Sequence, residues 1–263
     1  MNTVSISRFT PSTMSAELLE RLFVVRKPIL EALMKRVKAL GRTPSPHHTL
    51  LVGPRGAGKT HLISLVYHRC KSLGKTGDGK PLRIAWLPED PWTLVSYGRL
   101  LAAILERVVP DFDNQKIAEP ELDAHIRHTS REDGPILVLA ENLDQILEAL
   151  GDSGQQKLRN LLQTEPDILV IATTTRLDRS LSAHAAPFFG FFDTIRLDPF
   201  SPEEAREMLT TLAREANNSE LAKRLSDNES LARIHTIAHL AGGQPRLWAL
   251  LGSALTVEDL RDL

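Results

Sequence analysis

Apolar residues recur along this chain in two textures, short unbroken runs and spaced stripes, and their alternation predicts strands followed by helices. The runs at Thr49–Val52 (TLLV), 82–87 (LRIAWL), 136–140 (ILVLA) and 168–175 (ILVIATTT) suit strands buried on both faces of a parallel sheet. A weaker fifth run is 192–197 (FDTIRL). Between them the spacing turns helical: Leu62, Ile63, Val66, Tyr67, Cys70 and Leu73 over 59–73, a stripe from Leu100 to Val108, and stretches around 146–150 and 158–162. Upstream, Leu18, Leu19, Leu22, Phe23, Leu30, Leu33, Met34 and Val37 predict two helices within 15–40, Pro28 opening the second and Gly41 ending it.

At Ser201 the texture changes. Ser201 with Glu204 forms a capping box, Pro202 takes the first helical position, and Met208, Leu209 and Leu212 line one face. Everything beyond reads helical, including 228–241, a Gly242-Gly243 stop and a last helix over 245–255. The expected organisation is a loose arm over 1–14, an α/β domain over 15–200 and a small helical subdomain over 201–263. The predicted fold class is α/β, a parallel sheet sandwiched by helices.

With 263 residues, 42% apolar and 25% charged, the chain can bury a sizeable core. No apolar run approaches the ~18 residues a membrane helix needs, and the start lacks a signal-peptide layout, so a cytoplasmic protein with no membrane partner is expected. A single cysteine, Cys70, excludes an intrachain disulfide and a multi-cysteine zinc site. Basic and acidic residues nearly cancel, at 32 against 33, so a nucleic-acid or lipid partner would need a local patch. One basic stretch exists: residues 21–42 hold seven basic side chains against Glu31 alone. With Phe23 its only aromatic, it reads as a solvated helix face. His235 and His239 have metal-ligand spacing but apolar company, and the phenylalanines 188, 189, 191 and 192 read as packing.

The strongest chemical signal is Gly53-Pro54-Arg55-Gly56-Ala57-Gly58-Lys59-Thr60, a complete G-x-x-x-x-G-K-T between a predicted strand and a predicted helix. The glycines let the backbone wrap around phosphate, while the loop amides and helix N-terminus offer partial positive charge. Lys59 suits the β- and γ-phosphates, Thr60 can ligate magnesium, and His61 continues the nucleotide-binding stretch. ATP with Mg2+ is the ligand this motif implies. The apolar run 136–140 leads into Glu141-Asn142-Leu143-Asp144, the only candidate for the acidic partner of such a loop. Glu141 stands at the metal side and Asn142 at the position of the catalytic base, but a carboxamide cannot take a proton from water; a shifted register would make Glu141 the base and leave Ala140 at the metal side. Asp144 is the candidate to supply that carboxylate.

The phosphate loop, the acidic strand end, the strand ending Ala-Thr-Thr-Thr-Arg and the helical tail with Gly242-Gly-Gln-Pro-Arg246 together resemble the AAA+ P-loop ATPases. Within them the chain is similar to the initiator-like clade of origin-recognition and transposition-regulator ATPases, next to the STAND ATPases. The resemblance covers about residues 18–255 and implies a P-loop NTPase sheet with a C-terminal helical lid. It implies that Phe23-Val24-Val25-Arg26-Lys27-Pro28-Ile29-Leu30 sits against adenine, that Thr175 is the polar sensor positioning water, and that Arg246 is the lid arginine reaching the γ-phosphate. Ring-forming members carry an arginine finger before the fifth strand. Here no arginine stands between Leu181 and Thr194, and Arg179 and Arg176 are the nearest substitutes, which leaves oligomer formation open.

The expected function is an ATPase coupling ATP binding and hydrolysis to conformational change on a macromolecular partner, a protein or DNA. The alternative is a nucleotide-dependent switch or scaffold that scarcely hydrolyses, with Asn142 as the reason. A small-substrate kinase would use the same loop but has no need of the Gly-Gly-Gln-Pro-Arg tail. The chain ends soon after the lid, without room for a winged-helix DNA reader, so a stand-alone or truncated module is expected.

Overall fold

The computed structural model describes residues 11–87, 94–113, 117–177, 181, 183, 184 and 186–256, without the side chains of 228, 229 and 239–241. Residues 1–10 of the expected arm, Arg179 and the His239 side chain lie outside the described residues. By its internal contacts the chain divides into two compact units. One holds residues 31–53 and 66–196, the other residues 1–30, 54–65 and 197–263.

The first unit is built on a five-stranded parallel sheet of β1 (Thr49–Val52), β2 (Arg83–Leu87), β3 (Ile136–Ala140), β4 (Ile168–Thr174) and β5 (Asp193–Arg196). The strand order is β2-β3-β4-β1-β5. Every residue of β3 and β4 is buried, as two covered faces require, which explains why both were legible as unbroken apolar runs. β5 is an edge strand with three of its four residues exposed, and its sequence signal was correspondingly weak.

Helices cover both faces. On one side α4 (Tyr97–Val108), α5 (Glu119–His128) and α6 (Leu143–Thr164) contribute Leu101, Leu105, Ile126, Leu147 and Leu161 to a core shared with Ala85, Ile136, Val138 and Val170 of the sheet. Phe188 is buried here, with Phe191 and Phe192 packed against the same core, so those three rings serve packing as expected, while Phe189 is exposed and stacks on His184, ring centroids 4.3 Å apart. On the other side lie α2 (Lys27–Ala39) and α3 (Lys59–Leu73). The Tyr67 ring of α3 sits 5.0 Å from Trp86 of β2, and Arg36 of α2 donates to the Thr49 hydroxyl at 2.5 Å.

As the sequence predicts, the helical stretches around 146–150 and 158–162 are distinct: Gly151, at φ +61°, ψ 177°, leaves helical geometry and kinks α6 between them. α5 has no strong stripe: only Leu122 and Ile126 are buried, and a π-turn at Thr129–Asp133 follows it.

In the second unit, Ser15 caps α1 (Ala16–Leu22), its hydroxyl accepting from the Leu18 amide at 3.3 Å. The C-terminal helices are α7 (Pro202–Glu215), α8 (Ser219–Leu225), α9 (Asn228–Ala241) and α10 (Pro245–Ala254). The Ser201–Glu204 capping box forms as the sequence predicts, and Gly242 takes the left-handed conformation that stops α9. These helices close around Trp248, which is fully buried among Ala205, Leu209, Leu221, Leu225 and Ile234. Arg21 of α1 pairs with Glu215 of α7 at 3.3 Å. Among the described residues no helix is long and apolar enough to cross a membrane.

Candidate nucleotide-binding site

The phosphate loop joins β1 to α3. Its first residue, Gly53, donates its amide to the Thr174 carbonyl at the end of β4, at 3.3 Å. From Pro54 onward the loop belongs to the unit of the C-terminal helices. Gly56 and Gly58 adopt φ of +81° and +83°, the left-handed values that let a loop curl back before a helix. The Ala57 amide donates to the Pro54 carbonyl at 3.1 Å, and the buried Lys59 ammonium donates to the same oxygen at 3.0 Å. The lysine is thereby folded over its own loop, where a phosphate cradle needs its charge. Arg55 is exposed, and the Thr60 carbonyl accepts from the Ser64 hydroxyl at 2.8 Å inside α3.

Two segments remote in sequence close on this loop within the same unit. The Arg246 amide, in the first turn of α10, donates to the Gly56 carbonyl at 3.1 Å, while its side chain is exposed. Its neighbour Gly243 faces the linker to α7, where a Cβ would stand 2.7 Å from the Phe200 carbonyl, and that position takes φ +67°. The second segment is Arg26, itself at φ +68°. Its guanidinium donates to the Ala57 carbonyl and, at 2.5 Å, to the Asp198 carbonyl, and lies 4.9 Å over the Phe200 ring. Burial lowers its pKa from the ordinary arginine value, an effect that Glu204 and Asp198 oppose. Val24 is half-buried beside it.

His61 turns toward α1: its Nε2 lies 3.0 Å from the Leu19 carbonyl and its ring 5.6 Å from Phe23. Burial lowers the pKa of this imidazole, opposed by the Leu19 carbonyl and Glu20. With that carbonyl beside it, Nε2 acts as a donor.

The acidic strand end belongs to the sheet unit. Glu141 follows β3, is buried, and accepts from the Trp86 indole N–H at 3.3 Å. Trp86 therefore fixes the orientation of this carboxylate, a role no local pattern announced. Asn142 adopts φ +52°, ψ +53°, as the residue before α6. Asparagine tolerates this left-handed geometry better than most residues, which is a conformational reason for its presence at this position. Its amide donates to the Thr173 hydroxyl at 3.3 Å. Thr173 is a neighbour that the sequence reading passed over in favour of Thr175, which is half-exposed in the bend beyond β4. The available signal was register: Ala140 pairs with Ala172, so the next residues along the two strands, Glu141 and Thr173, run level. Asp144, in the first turn of α6, has a buried Oδ1 without a hydrogen-bond partner.

Among the described residues no group of three or more His, Cys, Asp or Glu gathers as a metal cluster. His235, one of the two histidines at metal-ligand spacing, is exposed, with Glu203 at 3.7 Å. Of the basic stretch, Arg36 is engaged by Thr49 and, at 3.2 Å, by Asp193, and Arg26 by the phosphate loop, while Lys27, Lys35, Lys38 and Arg42 are exposed. Arg176 is exposed as well.

Solved structures of low identity share this architecture. The ORC1 protein of Aeropyrum pernix in complex with DNA matches with a TM-score of 0.61 and 16% identity, over 93% of this chain and 68% of that one. Drosophila ORC bound to DNA gives 0.59 and 16% over 94% and 65%, and C. elegans PCH-2 gives 0.57 and 15% over 94% and 68%. This chain thus spans about two thirds of the length of each. No family profile and no curated protein matches the sequence. With its parallel sheet in the order β2-β3-β4-β1-β5, this chain has the AAA+ P-loop NTPase fold.

Proposed function

We propose that the chain binds ATP with magnesium at its phosphate loop, hydrolyses it, and uses the nucleotide state to alter the surface its lid helices offer a macromolecular partner, protein or DNA. The observation that carries this reading is the bond from the Arg246 amide to Gly56, which ties the helix bearing a permanently charged side chain to the loop suited to polyphosphate. DNA enters as a candidate because two of the matched structures are complexes with it. A reducing cytoplasm suits a chain whose one cysteine is buried.

In this reading Lys59 and the loop amides hold the phosphates, and Arg246 reaches the terminal one. Thr60 and Glu141 are the oxygen donors proposed for magnesium, a cation that takes hydroxyl and carboxylate oxygens beside phosphate and water. Magnesium would neutralise charge on the phosphate oxygens. Thr175 orients the attacking water. Asp144 takes its proton, a role for which the unpartnered Oδ1 qualifies it.

The test is phosphate release by the purified protein with and without DNA. Loss of turnover in Lys59→Ala with turnover retained in Asn142→Ala supports the ATPase with Asp144 as base, and Asp144→Asn then abolishes it. The second reading, a switch that holds ATP without hydrolysing it, is favoured by the left-handed Asn142 at the base position. Tight ATP binding with no turnover in any condition would establish it instead.

A further inference from the structure

We infer that Arg26 is a positioning residue for the phosphate loop, its guanidinium pinning the Ala57 peptide to the segment that leads into the lid helices, and that it acts on ATP affinity through the loop and not by touching the base. This rests on the loop being a phosphate site, as proposed above.

A planar trans peptide points its carbonyl and its N–H in opposite directions, so a donor that fixes one fixes the other. Arg26 donates to the Ala57 carbonyl and so sets the direction of the Gly58 amide. The Arg246 amide donates to the Gly56 carbonyl and so sets the Ala57 amide, which points back to the Pro54 carbonyl at 3.1 Å. Consecutive peptide planes of the loop are thereby held from outside by residues from the two ends of the chain. The guanidinium also lies close to the loop backbone: a Cβ on Gly58 would stand 3.5 Å from its Nη1.

The other half of the fork makes Arg26 a strap rather than a local brace. Its second nitrogen donates to the Asp198 carbonyl and its plane covers the Phe200 ring, while the Phe200 amide donates to the Gly243 carbonyl at 2.7 Å. The chain of contacts therefore runs from the loop through Arg26 to the 198–200 linker and on to the Gly-Gly turn before Arg246. A planar fork can satisfy two carbonyls at once and stack on a ring, whereas an ammonium cannot. Nη1 and Nη2 each donate to a main-chain oxygen, so the protein backbone itself orients the fork. The left-handed backbone at Arg26, unusual for a residue other than glycine, is held by these contacts.

The experiment compares wild type, Arg26→Met and Arg26→Lys by ATP titration in magnesium buffer and by hydrogen–deuterium exchange of the nucleotide-free proteins. Arg26→Met is expected to weaken ATP about tenfold, the worth of one charge-assisted hydrogen bond, and to speed exchange over both 54–58 and 198–200. Arg26→Lys is expected to recover only part of each. Unchanged ATP affinity in Arg26→Met overturns the proposal, as does lost affinity with unchanged exchange, which would put Arg26 on the nucleotide itself. Full recovery by lysine in both readouts also counts against it. If Arg26→Met does not fold, Phe200→Leu, which removes the ring beneath the guanidinium, must shift both readouts in the same direction. Wild type that binds no ATP defeats the nucleotide reading, and the exchange result then decides separately whether Arg26 holds the loop.

Discussion

The Arg246 amide meets the Gly56 carbonyl at 3.1 Å, and a side chain on Gly56 would bring its Cβ within 3.0 Å of the Arg246 Cβ. α10 thus reaches the phosphate loop at a position where the backbone is left-handed, φ +81°, and where a methyl group would crowd the Arg246 side chain.

Gly56→Ala should therefore suffer twice, from strain of about 1 kcal/mol at the left-handed residue and from displacement of α10 off the loop. ATP affinity is expected to fall by at least about tenfold with the helix content unchanged by circular dichroism. Gly74→Ala is the control: Gly74 also has positive φ, +65°, but nothing lies within 4 Å of the place its methyl group would take, so it should lose stability alone. Equal ATP affinity in the Gly56 variant and wild type would refute the contact's importance.

His48 offers a pH prediction. Buried at the start of β1, it accepts the Val170 amide on Nδ1 at 3.1 Å, so the ring is neutral, and burial pushes its pKa from 6.5 down to about 4. Below pH 6.5 the unfolded chain takes up a proton that the folded ring refuses until about pH 4. Stability contributed by the neutral ring is thus full above pH 6.5 and drains away as pH falls through this window, by an upper limit on the order of 3 kcal/mol. His48→Gln should be less stable at neutral pH but show a shallower decline. Urea midpoints at intervals between pH 7.5 and 4 measure both slopes, and parallel curves would discard the assignment.

A third prediction concerns the far end of α6. Glu165 is fully buried and receives Arg127 at 2.6 Å and Arg131 through two bonds of 2.8 and 2.6 Å. A buried carboxylate is tolerated only with such partners, and its neutralisation weakens three charge-assisted bonds, leaving Arg127 to Asp123 and Arg131 to solvent. Glu165→Gln should destabilise the sheet unit by about 2 kcal/mol while leaving ATP affinity as it was. Thermal unfolding checks the first part and titration the second; a variant as stable as wild type would remove the cluster from the account of stability.

What a linear pattern encodes is which faces a segment must bury and how the backbone begins and ends an element. The β3 and β4 runs, the Ser201 capping box, the Gly242 stop and the phosphate loop were all legible for this reason, because each depends on residues within one or two helical turns of each other. α5 was not, since two buried residues in ten make too faint a stripe. Side-chain partnerships distant in sequence were out of reach altogether: Trp86 on Glu141, Thr173 under Asn142, Arg127 and Arg131 on Glu165, and Arg26 on Ala57 and Asp198. Composition and spacing therefore determined the elements, the nucleotide motif and the approximate fold class. The strand order, the turning of Arg26 and His61 toward backbone carbonyls, and the left-handed Asn142 were decided only when the chain closed, because each is fixed by what topology brings beside a residue and not by the residues next to it in the chain.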